Sequence, residues 1–200
     1  MASSIASKKA ALNSQSEKAR TVSDFDEKIA SYDAAISASA ATEKEIAAAV
    51  KGSEVADSKG VAGCVRGYKK ARQDLAIERE SAIRDKAYEF KDRIGEEFAS
   101  SSDSNDGKMK LEDILSHYQS VKVNIDKIYN DLLTFAAKYP HDIGKDIIDD
   151  ISSQKKDLDD KIAQVNREIE TAKEIASRGK VVMPLLIGLF NSAPGSTAES

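Results

Sequence analysis

The chain has 200 residues and a formal net charge of -4, with 32% charged and 40% hydrophobic residues. This length can bury a core without disulfides, and the low content of glycine and proline excludes a collagen-like or largely disordered chain. The acidic balance removes the general attraction to phosphate on which nucleic-acid binders depend, so we expect no nucleic-acid partner.

The sequence carries no sign of an oxidising compartment or of a membrane span. Its one cysteine, Cys64, cannot form an internal disulfide. The N-terminus lacks the continuous apolar core of a secretory signal peptide, and no run reaches the roughly 20 apolar residues that a transmembrane helix needs. We therefore expect a cytoplasmic protein or one secreted without a leader.

The dominant pattern is a heptad spacing, with apolar residues at alternating steps of three and four, which is typical of amphipathic helices. It appears four times along the chain. The first helix carries Val22, Phe25, Ile29, Tyr32, Ile36, Ile46 and Val50. Ser23 is predicted to cap its N-terminus and Gly52 its C-terminus. Residues 1–21 are predicted to form a flexible or helical N-terminal extension.

The second helix changes its frame midway. Its apolar positions are Val61, Val65, Tyr68 and Leu75, and then Ile83, Ala87, Phe90, Ile94 and Phe98. Such a slip alters local supercoiling, so this helix is not expected to follow one uniform seam. The serine- and aspartate-rich stretch at 99–108 is predicted to be a linker.

The third and fourth helices keep an uninterrupted frame. The third carries Leu111, Ile114, Tyr118, Val121, Ile125, Ile128, Leu132, Phe135 and Tyr139. The fourth carries Ile148, Ile151, Leu158, Ile162, Val165, Ile169, Ala172 and Ala176. Pro140 is predicted to end the third helix and to occupy the first turn of the fourth, which should end at Arg178 and Gly179.

These patterns predict an all-α fold, either an antiparallel four-helix bundle or a pair of coiled-coil hairpins with long helices, followed by an apolar C-terminal segment. The helical bundle should cover residues 22–179, with hairpins at 22–99 and 109–179. Residues 180–200 should form the apolar segment and a disordered tail.

The apolar C-terminal segment supplies the candidate interaction residues. They are Val181, Val182, Met183, Leu185, Leu186, Ile187, Leu189 and Phe190. The segment is too short to span a bilayer, yet so apolar a surface needs a cover. Its own bundle, a protein partner and a membrane interface are the alternatives.

No spacing points to catalysis, a cofactor or a metal. His117 and His141 lack the glutamate three residues earlier that di-iron bundles use, and no His-Glu-x-x-His motif occurs. The glycines between Gly60 and Gly67 lack the order of a nucleotide-binding loop. Cys64 is predicted to be a buried thiol, and an enzyme using it or the histidines is a minor alternative.

The leading hypothesis is a non-enzymatic helical interaction protein, such as a scaffold, adaptor or assembly subunit. It would act through coiled-coil packing and the apolar segment, on a protein partner or on other copies of itself, without a cofactor. The alternative is a membrane-active secreted helical protein, a translocator or pore-forming component, that engages lipid through residues 181–190.

Overall fold

A computed structural model describes residues 1–52, 59–102 and 109–191, and the side chains of residues 1–52, 59–100 and 109–178. The helices in these ranges are α1 (Ala2–Thr21), α2 (Phe25–Lys51), α3 (Lys59–Ser102), α4 (Leu111–Lys138) and α5 (Lys145–Asn191). The described residues contain no β-strand, and the all-α prediction is confirmed. The four predicted helices are α2 to α5, and α1 adds a fifth.

The caps of α2 show how the sequence sets its limits. Asp24, and not Ser23 as predicted, is the N-cap, and its side chain accepts a hydrogen bond from the Glu27 backbone N–H at 2.9 Å. A carboxylate both accepts this bond and interacts favourably with the positive end of the helix dipole, which a hydroxyl does only in part. The predicted C-cap, Gly52, is confirmed.

Two other predicted helix ends are wrong. Helix α5 begins at Lys145, so Pro140 lies in the turn between α4 and α5 and not in the first turn of α5. At its other end α5 continues through Gly179 to Asn191. A single glycine costs a helix only about 1 kcal/mol relative to alanine, which the hydrogen-bond ladder of a long helix can absorb.

The linker predicted at 99–108 is only partly within the described residues. Helix α3 occupies its first positions and ends at Ser102. Residues 103–108 lie outside the described ranges, as do residues 192–200 of the predicted tail.

The chain divides into two compact units. The first combines Met1–Asp92 with Asp131–Ile148, and the second combines Arg93–Asn130 with the chain from Asp149 onward. Each unit therefore takes residues from both of the predicted hairpins.

In the first unit, α2 runs antiparallel to α3, and α1 runs parallel to α3. Side-chain contacts join Arg72 to Glu43 and Arg79 to Asp33. Residue numbers in α2 therefore fall as those in α3 rise, which shows that the two helices are antiparallel. The numbers of α1 rise with those of α3: Lys9 lies over Gly67, and Ser16 contacts Glu78. The largest fully buried side chains of this unit are Ile29, Leu75, Ile83 and Leu132.

In the second unit, the end of α3 packs beside α4, and α4 packs antiparallel to α5. Asn124 donates a hydrogen bond to Glu97 at 3.1 Å, and Lys155 pairs with Asp126 at 2.7 Å. The most deeply buried side chains here are Ile94, Ile125, Ile151 and Leu158. All four lie at the heptad positions that the sequence predicted.

Candidate functional site

The C-terminal half of α5 is the candidate site, because its apolar seam continues where its packing partners end. Along the second unit this seam is covered: Ile151, Leu158, Val165 and Ile169 are buried. Ile162, between them in the heptad frame, is half-buried. This part of α5 is an ordinary amphipathic helix with one face packed on its neighbours.

Charged groups hold this hairpin together on its outer side. Lys122 of α4 contacts both Asp126 and Asp159. The hydrogen bond that Lys122 donates to Asp159 raises the pKa of Lys122, against the smaller effect of burial. The Lys155 ammonium lies 4.2 Å from the ring centroid of Tyr129. These contacts fix the register of α5 against α4, and so determine where the cover of the α5 seam ends.

The cover thins at the N-terminal end of α4. A cleft of about 420 Å³ opens there between the two helices. Its lining residues are Leu111, Ile114, Tyr118, Lys161, Gln164, Val165 and Glu168. The three apolar side chains from α4 are only half-buried, since α4 begins at Leu111 and contributes no further turn.

Beyond this cleft, the described side chains of α5, up to Arg178, have no cover. We call residues 170–191 of α5 the C-terminal extension. Every side chain from Glu170 to Arg178 is exposed, and Ile175 has 66% of its surface accessible. Lys173 pairs with Glu170 at 3.1 Å and Arg178 with Glu174 at 3.9 Å, so the charges on the extension support its own helix.

The eight predicted interaction residues fall within the extension. Their backbone is part of α5, and their side chains lie outside the described ones. The helical sequence prediction stopped at Gly179 and so missed that these residues continue the same helix. The signal was present: from Ala172 the steps of four and three lead on to Ala176, Gly179, Met183, Leu186 and Phe190.

The residues with catalytic potential are not brought together. The ring Nε2 of His117 lies 3.2 Å from the Ser100 carbonyl oxygen, and His141 is exposed in the turn before α5. Cys64 is half-buried on α3, and not the fully buried thiol that the sequence predicted. Within the described side chains, no group of three His, Cys, Asp or Glu residues could hold a metal ion.

A second cleft, of about 520 Å³, lies in the first unit beside the turn before α5. Of its lining residues, Arg84 pairs with Glu80 and Asp142 pairs with Arg79. The Arg79 guanidinium also contacts Asp33 and lies 5.4 Å from the Tyr139 ring centroid. Every buried polar side-chain atom of the described residues has a hydrogen-bond partner.

Comparisons with known proteins add no family to this picture. The chain matches no protein-family model, no curated protein and no solved structure. In the described part of the chain, no helix is both long and apolar enough to cross a membrane.

Proposed function

We propose that this protein is a non-enzymatic helical interaction protein, a scaffold, adaptor or assembly subunit, that binds a partner helix through the C-terminal extension of α5. The observation that carries the proposal is the continuous seam of α5. It is buried at Val165 and Ile169 and exposed at Ala172 and Ala176, in an unchanged heptad frame. We also propose that the long helices pack antiparallel, either as a four-helix bundle or as a pair of coiled-coil hairpins.

The energetics favour a partner for the extension. An apolar helical face left in water gains about 25 cal/mol for each Å² of apolar surface that a partner covers. Ile175 is exposed, and the sequence that follows it is apolar from Val181 to Phe190, a run that needs a cover. The opposite faces of the helix, with Glu170, Glu174 and Arg178, suit it to remain in water until it docks.

A membrane-active function, as a secreted translocator or pore-forming component, is the second candidate. It is favoured by the composition of residues 181–190, an unbroken apolar run in the sequence with no polar positions to mark a stripe. A helix with that composition suits a lipid interface as well as a protein core. The heptad from Leu158 to Ala176 argues for the first candidate, since lipid imposes no such period.

The proposal is tested by scanning a photo-crosslinking residue along the described part of the extension. The purified full-length protein is labelled at one position at a time from Ala172 to Arg178 and exposed to extract from its own cells. Val123, which is 68% exposed on α4, is the matched control for an exposed apolar side chain outside the extension.

We expect protein crosslinks at Ala172, Ile175 and Ala176, and few at Glu174, Ser177 and the Val123 control. A helical period in the yields is the signature of docking along one face. Yields that show no period, or adducts with lipid in place of protein, would contradict the proposed function whatever the captured molecules are.

A further inference from the structure

We infer that the first unit carries a docking groove between α2 and α3 that accepts one amphipathic helix of a partner protein, with acidic side chains beside the apolar face of that helix. The groove consists of other residues than the C-terminal extension, and the inference goes beyond the proposed function. Three observations support it: the point at which the cover of α2 and α3 ends, the length of the groove, and the charge on its rim.

The cover of α2 and α3 ends partway along both helices. The end of α4 and the turn after it supply this cover. The ring centroids of Phe135 and Phe90 lie 5.9 Å apart, and Asp142 lies 3.4 Å from Arg79. Arg79 also contacts Asp33 of α2, so the two residues mark the same level on the two helices. From this level toward the end of α2 and the start of α3, two clefts open between the helices.

The face that packs on α4 continues into these clefts on both helices. From Arg79, steps of three and four toward the start of α3 reach residues that line the clefts: Ala76, Arg72, Lys69 and Val65. From Asp33 the same steps, through Ala40, reach the lining residues of α2: Ile36, Glu43, Ala47 and Val50. Residues at this spacing lie on one face of a helix. The clefts therefore continue the position that α4 fills at the other end of the unit.

Burial changes along the same face. Ile29 and Ile83 lie in the covered part and are fully buried. Ile36, Val50 and Val65 lie in the clefts and are only half-buried. A helix packed in the clefts would cover these aliphatic side chains and gain about 25 cal/mol for each Å² of apolar surface removed from water.

The size of the clefts fits a helix. We call the two clefts together the α2–α3 groove. Their volumes are about 240 and 300 Å³, and Glu43 and Lys69 line both of them. Between Ile36 and Val50 the groove is about 21 Å long, or about four turns of helix, at 1.5 Å per residue. The chain between the two walls, residues 53–58, is too short to supply a helix of that length.

Hydrogen bonds join the two walls across the floor of the groove. The buried Tyr68 donates its hydroxyl hydrogen to the Ser39 carbonyl oxygen at 3.3 Å. Arg72 donates to the Ser39 hydroxyl at 3.1 Å and pairs with Glu43. The groove is therefore preformed, which reduces the ordering cost of binding a partner.

The charges on the rim identify the kind of helix. Arg72 already neutralises Glu43, the one acidic residue that lines the groove. Lys51 on the α2 wall and Lys69 on the α3 wall are exposed, and neither has an ion-pair partner among the described side chains. An apolar helix face bordered by carboxylates would place an acidic group beside each lysine. The groove therefore fits an acidic amphipathic helix better than a basic one.

The test measures how two synthetic peptides bind the full-length protein, by fluorescence anisotropy. Both peptides have about 18 residues, enough to form a helix along the whole groove, and the same leucines and alanines along one face. One carries glutamate and the other lysine at the positions that border this face. The protein variants are Lys69→Glu and Ala47→Glu, at exposed positions that line the groove. Their controls are Lys70→Glu and Ala49→Glu, at exposed positions nearby that do not line it.

We expect the wild-type protein to bind the glutamate peptide about tenfold more tightly than the lysine peptide, and each groove variant to bind the glutamate peptide about tenfold more weakly, with the controls unchanged. No binding, equal binding of the two peptides, or equal losses in variants and controls overturns the inference. Self-association of the full-length protein that Ala47→Glu abolishes also overturns it, because a second copy then fills the groove. None of these outcomes bears on crosslinks from the C-terminal extension, so the two proposals fail separately.

Discussion

At the scale of single residues, Glu78 joins α1 to the rest of the first unit through two side-chain contacts. Its carboxylate accepts a hydrogen bond from the Ser16 hydroxyl at 2.6 Å and another from the Arg20 guanidinium. The Glu78 side chain is 21% exposed. Burial by itself would raise the pKa of Glu78, but the bonds from Arg20 and Ser16 and the charge of Arg20 outweigh it and lower that pKa below its ordinary value.

The Glu78 carboxylate also acts on the neighbouring helix. Tyr32 of α2 is buried, and its pKa is raised, first by that burial and then by the negative charge of Glu78. Three helices therefore meet around one ionised carboxylate, with a hydroxyl and a guanidinium from α1 as its donors. A neutral side chain at this place would leave those donors with a weaker acceptor.

Replacing Glu78 with glutamine should reduce the free energy of unfolding by about 1–2 kcal/mol, because hydrogen bonds to a charged acceptor are stronger than those to an amide. Urea denaturation measures the change. The matched control is Glu80→Gln on the same helix, whose ion pair with Arg84 is about half exposed and should contribute less than about 0.5 kcal/mol. Equal effects of the two substitutions would show that the Glu78 contacts do not stabilise the fold.

The lowered pKa of Glu78 also predicts how this contribution varies with pH. Because the folded-state pKa lies below the ordinary value near 4.5, the unfolded chain binds the proton first as the pH falls. The stabilisation by Glu78 is then fully present above that value and is lost as the pH falls through the folded-state pKa. The difference in unfolding free energy between wild type and Glu78→Gln should accordingly shrink on acidification below about pH 4.5. A difference that is constant or grows would contradict this.

At the scale of helices, the sequence predicted best where apolar residues mark the seam without interruption. In α4 the predicted positions Val121, Ile125, Ile128 and Leu132 are all buried. The frame slip predicted for α3 is also visible in its burial. Val61, Tyr68, Leu75 and Ala82 repeat at intervals of seven, and a new frame starts at the adjacent Ile83. Hydrophobic periodicity is a strong signal in such helices because burial alone decides which face turns inward.

The sequence predicted least where small or polar residues form the packed face. Helix α1 buries Ile5, Leu12, Ser16 and Ala19, and only two of these are large and apolar. Ser16 and Arg20 of α1 contact Glu78, which lies about 60 residues further along the chain. No local sequence pattern could therefore have distinguished a helical from a flexible N-terminal extension. The continuation of α5 beyond Gly179 was missed for a different reason. The glycine was interpreted as the end of the helix, although apolar heptad positions occur both before and after it.

The few buried residues of α1 predict that it is the least stable helix of the first unit. Leu12→Ala should loosen α1 alone, whereas Leu75→Ala, at a side chain that is only 1% exposed, should reduce the stability of the whole unit by about 2–5 kcal/mol. Native-state hydrogen exchange separates the two cases. We expect the amides of α1 to exchange faster in the Leu12 variant while those of α3 between Tyr68 and Ile94 stay protected. Faster exchange in both helices would mean that α1 and α3 unfold as one unit.

At the scale of the whole molecule, the buried core and the proposed binding surface lie in different parts of the chain. The large buried side chains among the described residues lie between Ile5 and Ile169, and the exposed seam begins at Ala172. Removal of the residues after Arg178 should therefore leave both units folded while it deletes the apolar half of the extension. This separation allows the binding role of the extension to be tested without loss of the fold.

The most direct test of the account is photo-crosslinking from Ile175 in the full-length chain and in a version that ends at Arg178, each exposed to extract from its own cells. We expect the full-length chain to give a protein crosslink and the shortened chain to give little or none, because the shortened chain lacks the apolar residues from Val181 to Phe190. A full-length chain that gives no crosslink, or a shortened chain that crosslinks equally well, would contradict the claim that the C-terminal extension binds a partner.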